Sequence, residues 1–303
     1  MSPVELPPNR IRRFYRGGAR IAAFRGLESR DDDAPEDWVG STTTAHGEAA
    51  LGLSRLADGT LVRDRFGHQQ LLVKLLDAGE RLPLHLHPDD AFAREHLGSP
   101  CGKTEAWIVL EAEPGAEVGL GFARDVPADE LAQLFADQDV DAMLAAMTML
   151  PARAGDTFFV PAGLPHVIGR GILLLELQQP SDLSMLLERG RTTEREAWLG
   201  LAPDLGLGAV DRSGWEAARL ERLTSGRGST LFPEEADVFF RADRVSGGAA
   251  LEPGFAILVV VEGDGAVGEL PVGRGSTVLV PPACGEVELS GAFHAVRCRP
   301  PVP

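Results

Sequence analysis

Cysteine is scarce: Cys101, Cys284 and Cys298 are the only three in 303 residues. Their odd number and wide separation exclude a disulfide framework, and they form no CxxC metal clip. The expectation is a reducing compartment, with all three thiols as small buried residues. Long apolar runs are missing as well. None approaches the roughly 20 residues that span a bilayer. The opening MSPVELPPNRIRRFYRGG lacks the apolar centre of a signal peptide, which points to the cytoplasm. Positive charge is also in deficit, with 29 Lys and Arg against 45 Asp and Glu and a net charge of −16. That balance argues against nucleic acid or an anionic membrane surface as the partner. It also means that a site for an anionic substrate must gather basic groups locally, against the overall field. Neither low-complexity segments nor short-period repeats occur.

What remains is an ordinary globular composition, 44% hydrophobic and 24% charged, in a chain long enough for one large or two medium domains. Short Val/Leu/Ile runs end in glycine or proline: QQLLVKLLDAG (69–79), KTEAWIVLEAE (103–113), DTFFVPAG (156–163) and GILLLELQQ (171–179). Such runs read as strands of an all-β sandwich or barrel. A helical insert interrupts them at 127–150, with Pro127 suited to a first turn and Asp137 or Asp139 placed to cap a second short helix. PDDAFAREHL (88–97) reads as another short helix. Residues 192–225 look helical or irregular, and strands resume at 255–263, 276–282 and 285–291.

The chemistry concentrates in two patterns. One is Gly79-Glu80-Arg81-Leu82-Pro83-Leu84-His85-Leu86-His87, with Glu105 further on; the other runs from Gly155 through Pro161 and Gly163 to His166. Alternate residues of a strand share a face, so His85 and His87 project together, with Cα atoms roughly 6.5–7 Å apart. Glu105 can add a carboxylate oxygen, and a tight turn at Pro161 and Gly163 returns His166 to face the pair. Three imidazoles and a carboxylate with room for water suit Zn²⁺, with Fe²⁺, Mn²⁺ or Co²⁺ as alternatives. Glu176 interrupts Ile172-Leu173-Leu174-Leu175. A carboxylate in such a run is costly to bury, and burial raises its pKa toward that of a base working near neutrality. Pairing with Arg170 at a barrel rim is the plainer alternative. Lys103, two residues before Glu105, can face the same cavity.

These residues match the bipartite cupin motif. KLLDAGERLPLHLHPDDAFA, GKTEAWIVLEA and GDTFFVPAGLPHVIGRGILLLELQQPSD more narrowly resemble the short type I mannose-6-phosphate isomerases. The resemblance covers residues 70–185 well, RFYRGG and EDWVGS loosely, and little beyond 190. It implies a mostly β cupin, a jelly-roll barrel with a helical insert, over 1–205. The strands that resume after the composition shift near 190 read as a second, smaller, metal-free cupin-like domain over 206–303, where Gly275 to Pro281 echoes Gly155 to Pro161 but Glu286 takes the place of His166. The resemblance implies His85, His87, Glu105 and His166 as metal ligands, histidine replacing the family's commoner glutamine at 85. Lys103 would bind substrate, and the acidic Glu176 would lie near the active site. The family's arginine four residues after Ser-Asp is Leu186 here.

The function expected is a metal-dependent aldose–ketose isomerase acting on a small sugar phosphate, mannose 6-phosphate to fructose 6-phosphate. Glu176 would act as base and Lys103 as electrostatic partner, with Asp182 and Arg189 (or Arg191) binding substrate. The alternatives are a metal-dependent cupin dioxygenase and a sugar-binding cupin without catalysis. His46, His68, His96 and His294 belong to no ligand pattern. Trp38 reads as a core residue, although its segment resembles one near the family's site entrance.

Overall fold

The computed structural model describes residues 1–28, 30–190, 192–224 and 229–302. Two antiparallel sheets form the first barrel. The six-stranded sheet runs Arg10–Ile11, Glu36–Val39, Leu72–Ala78, Ile172–Gln178, Glu105–Ala112, Thr157–Val160. The five-stranded sheet runs Met185–Leu186, His85–Leu86, His166–Ile168, Glu117–Phe122, Met147–Pro151.

Leu72–Ala78 and Ile172–Gln178 are buried along their whole length, as expected of strands covered on both faces. Val73, Leu75 and Leu177 join a core that also contains Ile257, Val259 and Val296 of the C-terminal half. The alternate residues Lys74 and Glu176 turn inward and line the barrel cavity. This is why charges interrupt otherwise apolar runs.

The helical insert is two helices, Ala128–Asp137 and Val140–Ala145, the second capped by the Asp139 carboxylate accepting from the Ala142 amide at 3.0 Å. Pro127 and Pro88 each stand just outside their helix rather than in its first turn. The reading of helix through residue 150 is corrected: Met147–Pro151 is a strand, paired with Glu117–Phe122. Helical propensity in the Met/Leu-rich segment yields to the pairing edge beside it. Leu131, Phe135 and Met143 pack with Trp198 against Leu84 and Leu86. Those two leucines are fully buried, each contributing roughly 1.5–3 kcal/mol. The insert thus holds the outer face of the strand whose inner face carries the histidines.

The C-terminal half forms a seven-stranded sheet built on Ala256–Val267 and Val287–Arg299, with its own apolar interior of Leu258, Val260, Val278, Leu289 and Phe293. One strand crosses the division drawn near residue 205: Val4–Glu5 pairs with Thr277–Val280. Between the halves lie short helices, Glu194–Ala197, Pro203–Gly208 and Ala217–Leu223. No described helix is long and apolar enough to cross a membrane. The three thiols are free, but only Cys298 is buried; Cys101 and Cys284 are half-exposed, which corrects the expectation for them.

Candidate metal centre and active site

His85 and His166 are directly opposite each other on neighbouring antiparallel strands. His87 follows two residues after His85, and its carbonyl accepts from the amide of Gly163 at 2.8 Å. Gly163 has φ 83°, a conformation a side chain would strain, so the turn that returns His166 depends on glycine there. Ring centroids lie 5.1 Å (His85–His87), 4.1 Å (His85–His166) and 4.8 Å (His87–His166) apart. One ligand atom from each of the three lies within 4.8 Å of the others.

The hydrogen bonds fix the tautomers. Nδ1 of His85 lies 2.7 Å from the Pro83 carbonyl, that of His87 2.8 Å from the Leu183 carbonyl and that of His166 2.8 Å from the Leu164 carbonyl. A carbonyl only accepts, so each Nδ1 carries the proton and each Nε2 offers a lone pair. Burial, reinforced by Lys103 for His87 and by His87 for His166, pushes both imidazoles down to about 3. Burial lowers His85 well below its ordinary value too. All three are neutral near pH 7, the form that binds a metal.

Glu105 joins from one side, its carboxylate 3.0 Å from His87 Nε2 and 3.5 Å from His166 Nε2. Burial pushes this carboxyl up, but Lys103 and His87 outweigh it and hold it well below the usual range. Two buried atoms aimed at the cluster lack a hydrogen bond, His166 Nε2 outright and Glu105 Oε2 apart from its ion pair with Lys103. Lys103 already sets a cation there, its Nζ 2.7 Å from Glu105 Oε2 and 2.9 Å from His87 Nε2. Orphaned lone pairs, fixed tautomers and a carboxylate are the donor set a divalent transition metal takes.

Lys103 reaches this point because Gly102 packs against the start of the HPDD segment. A Cβ on Gly102 would lie 2.2 Å from the Pro88 carbonyl, which also accepts from the Lys103 amide at 3.0 Å.

Beyond the histidines the six-stranded sheet presents a charged row. Glu176 is buried with Lys74 Nζ 3.5 Å and Lys103 Nζ 3.8 Å from its Oε1. Burial pushes its carboxyl up, Lys74 opposes and Glu105 adds, leaving it at about 7. Its cationic neighbours are these lysines, not Arg170. Lys74 also lies 3.7 Å from Glu36 and 4.9 Å from the Trp38 ring centroid. Glu36 accepts from Tyr15 Oη and, at 2.6 Å, from Trp38 Nε1. Trp38 is fully buried, a core residue that also orients Glu36.

Arg13, Tyr15, Glu36, Lys74, His85, Lys103, Glu105, Glu176 and Leu186 share one cavity of about 30 Å³. Two larger grooves, of about 850 and 750 Å³, reach none of the three clustered histidines. Asp182 and Arg189 do not line this cavity. Asp182 is occupied by Arg13, with two hydrogen bonds of 2.9 and 3.0 Å, and by the His46 amide at 3.1 Å. Arg189 stacks 5.4 Å above the Phe135 ring and lies 3.6 Å from Glu194. Arg191 lies outside the described residues. His46, His68 and His294 are exposed and His96 is half-buried, none of them in the cluster.

Lys74, Glu36, Tyr15 and Arg13 were missed by the sequence reading. Lys74 carried a usable signal, since it interrupts an apolar run in LLVKLLDA just as Glu176 interrupts ILLLELQ. Arg13 carried none in its spacing, and its one pointer was the loose resemblance of the RFYRGG segment it opens.

A β-barrel of the cupin type with three histidines converging on one interior point is the class that fold and site define. No family model matches the chain. It is 32% identical over 251 residues to mannose-6-phosphate isomerase ManA of Bacillus subtilis (strain 168), covering 78% of this chain and 76% of that protein. It is 45% identical over 125 residues to the mannose-6-phosphate isomerase of Streptococcus mutans, covering 40% of this chain but only 38% of that one. The crystal structure of mannose 6-phosphate isomerase from Bacillus subtilis superposes with a TM-score of 0.78 at 23% identity, covering 99% of this chain and 100% of that one. The apo form from Salmonella typhimurium gives 0.76 at 17% identity, covering both chains fully. The chain belongs to the mannose-6-phosphate isomerase family.

Proposed function

We propose that the protein interconverts mannose 6-phosphate and fructose 6-phosphate, with His85, His87, His166 and Glu105 holding one divalent metal, Zn²⁺ on the chemistry of the donors. The observation that carries this reading is the convergence of three neutral imidazoles beside a buried carboxylate whose pKa is lifted to about 7. Bound there, the metal would supply Lewis acidity toward substrate oxygens.

The rest falls to side chains. Aldose–ketose isomerisation moves one proton from C2 to C1 and a second from the O2 hydroxyl to O1, through an enediol. Glu176 takes the proton from C2 and returns it to C1, a task suited to a carboxyl that titrates near the working pH. Lys103 offers N–H donors to the substrate oxygens as negative charge develops on them. Lys74, packed over the Trp38 ring, pairs with Glu176 and so fixes its direction.

The test is conversion of mannose 6-phosphate by chelator-treated protein before and after Zn²⁺ is returned. Activity that needs the metal, and that is absent from His87→Ala and His166→Ala, supports the reading. Normal turnover by either variant contradicts it.

A further inference from the structure

A sugar phosphate must be held by its dianion as well as by its carbonyl end, and among the described residues the cavity is lined by three permanent cations, Arg13, Lys74 and Lys103. Lys103 is engaged at the histidine cluster and its side chain is 6% exposed. Lys74 is enclosed between Glu36 and Glu176 and 2% exposed. Arg13, next to the largely exposed Phe14, is the most accessible of the three at 15%. The other residues near it are apolar, carry the Tyr15 and Ser184 hydroxyls, or are the Glu36 carboxylate, none of which can neutralise a phosphate.

We infer that Arg13 is the residue that binds the substrate's phosphate, supplying from the N-terminal segment the guanidinium that is missing at Leu186. The inference rests on the proposed function and names a specificity residue for it. Asp182 accepts one N–H from each of Nη1 and Nη2, which fixes the plane of the fork and leaves a second N–H on each nitrogen. Nε lies 3.3 Å from Glu36 Oε1, so a second carboxylate braces the guanidinium without closing a hydrogen bond to it. The guanidinium is therefore held between two carboxylates, Asp182 and Glu36, while retaining one N–H on each of Nη1 and Nη2. Leu186, directly opposite His85 on the neighbouring strand, lines the same cavity. A guanidinium from either position would enter one space.

The probes are glucitol 6-phosphate, which lacks a carbonyl and is not turned over, and glucitol itself, titrated calorimetrically into the full chain. Arg13→Lys keeps a positive charge between Asp182 and Glu36 but removes the fork. It should weaken glucitol 6-phosphate roughly 10- to 100-fold and leave glucitol unchanged. Arg13→Lys with Leu186→Arg should recover most of that loss. Leu186→Arg alone, which does not depend on the Arg13 variants folding, should tighten the phosphate ligand only. Unchanged phosphate affinity in a folded Arg13→Lys, equal loss of both ligands, or no response to Leu186→Arg would each overturn the inference. A wild-type chain that isomerises mannose 6-phosphate while Arg13→Lys keeps its KM would sink this inference and leave the isomerase reading intact. A wild-type chain with no isomerase activity would instead sink that reading.

Discussion

Lys74 and Glu176 stand opposite each other on adjacent antiparallel strands, with Nζ 3.5 Å from Oε1, both out of contact with solvent. The lysine keeps a carboxylate tolerable in a setting that would otherwise hold it neutral. Glu176→Gln preserves the shape of the proposed base and removes its ability to accept a proton. It should lower kcat for mannose 6-phosphate by roughly 10²- to 10⁴-fold, with little change in KM, as steady-state kinetics would show.

The same pair sets a pH dependence. With its carboxyl near 7 in the metal-free chain, Glu176 is protonated below that pH and becomes a base above it. A carboxyl stretch that titrates near 7 in metal-free protein, and is lost in Glu176→Gln, should be visible by difference infrared spectroscopy. Metal loading adds positive charge nearby, so the acid limb of kcat/KM should fall at or below that value. Lys74→Met removes a cation that lowers the Glu176 pKa. Its acid limb should move to higher pH, with activity partly regained as pH rises; an unshifted profile would contradict the coupling.

How much of this was readable in the sequence differs by feature. His85, His87 and His166 were legible because period-2 alternation fixes which side chains share a face and a Pro-Gly turn fixes the return. Glu176 was legible because a charge in Leu-Leu-Leu-Glu-Leu has no inexpensive explanation. Arg189 illustrates the opposite case: nearness in sequence to Ser181-Asp182 suggested a site residue, but the chain carries it away to Phe135 and Glu194. Asp182 was noticed for the right segment and the wrong partner, since its carboxylate is spent on Arg13, a contact across 169 positions. Pairings of that span depend on strand order, which local patterns do not encode. The strand Met147–Pro151 was hidden for a related reason, its conformation being set by the edge it joins.

Asp182→Ala leaves Arg13 with only the fully engaged Glu36 beside it. Removing one partner of a buried pair costs roughly 3–5 kcal/mol at full burial, and somewhat less here because the arginine keeps slight exposure. The loss should appear as a lower midpoint in urea unfolding.

The cavity's roughly 30 Å³ holds about a water or two, far less than a hexose phosphate needs. Entry therefore requires the cavity to widen, and the exposed Phe14 marks the lining segment with most access to solvent. Amide hydrogen exchange over residues 13–16 should change on adding glucitol 6-phosphate, more than over Leu72–Ala78 at the barrel's centre. Equal response in both segments would argue for a different entrance.

The proposed function requires one cation held by His85, His87, His166 and Glu105. Titrating Zn²⁺ into chelator-treated protein while following fructose 6-phosphate formation tests it most directly. Activity should rise from near zero and saturate at one equivalent per chain. Full turnover without metal, or none at any metal loading, would contradict it.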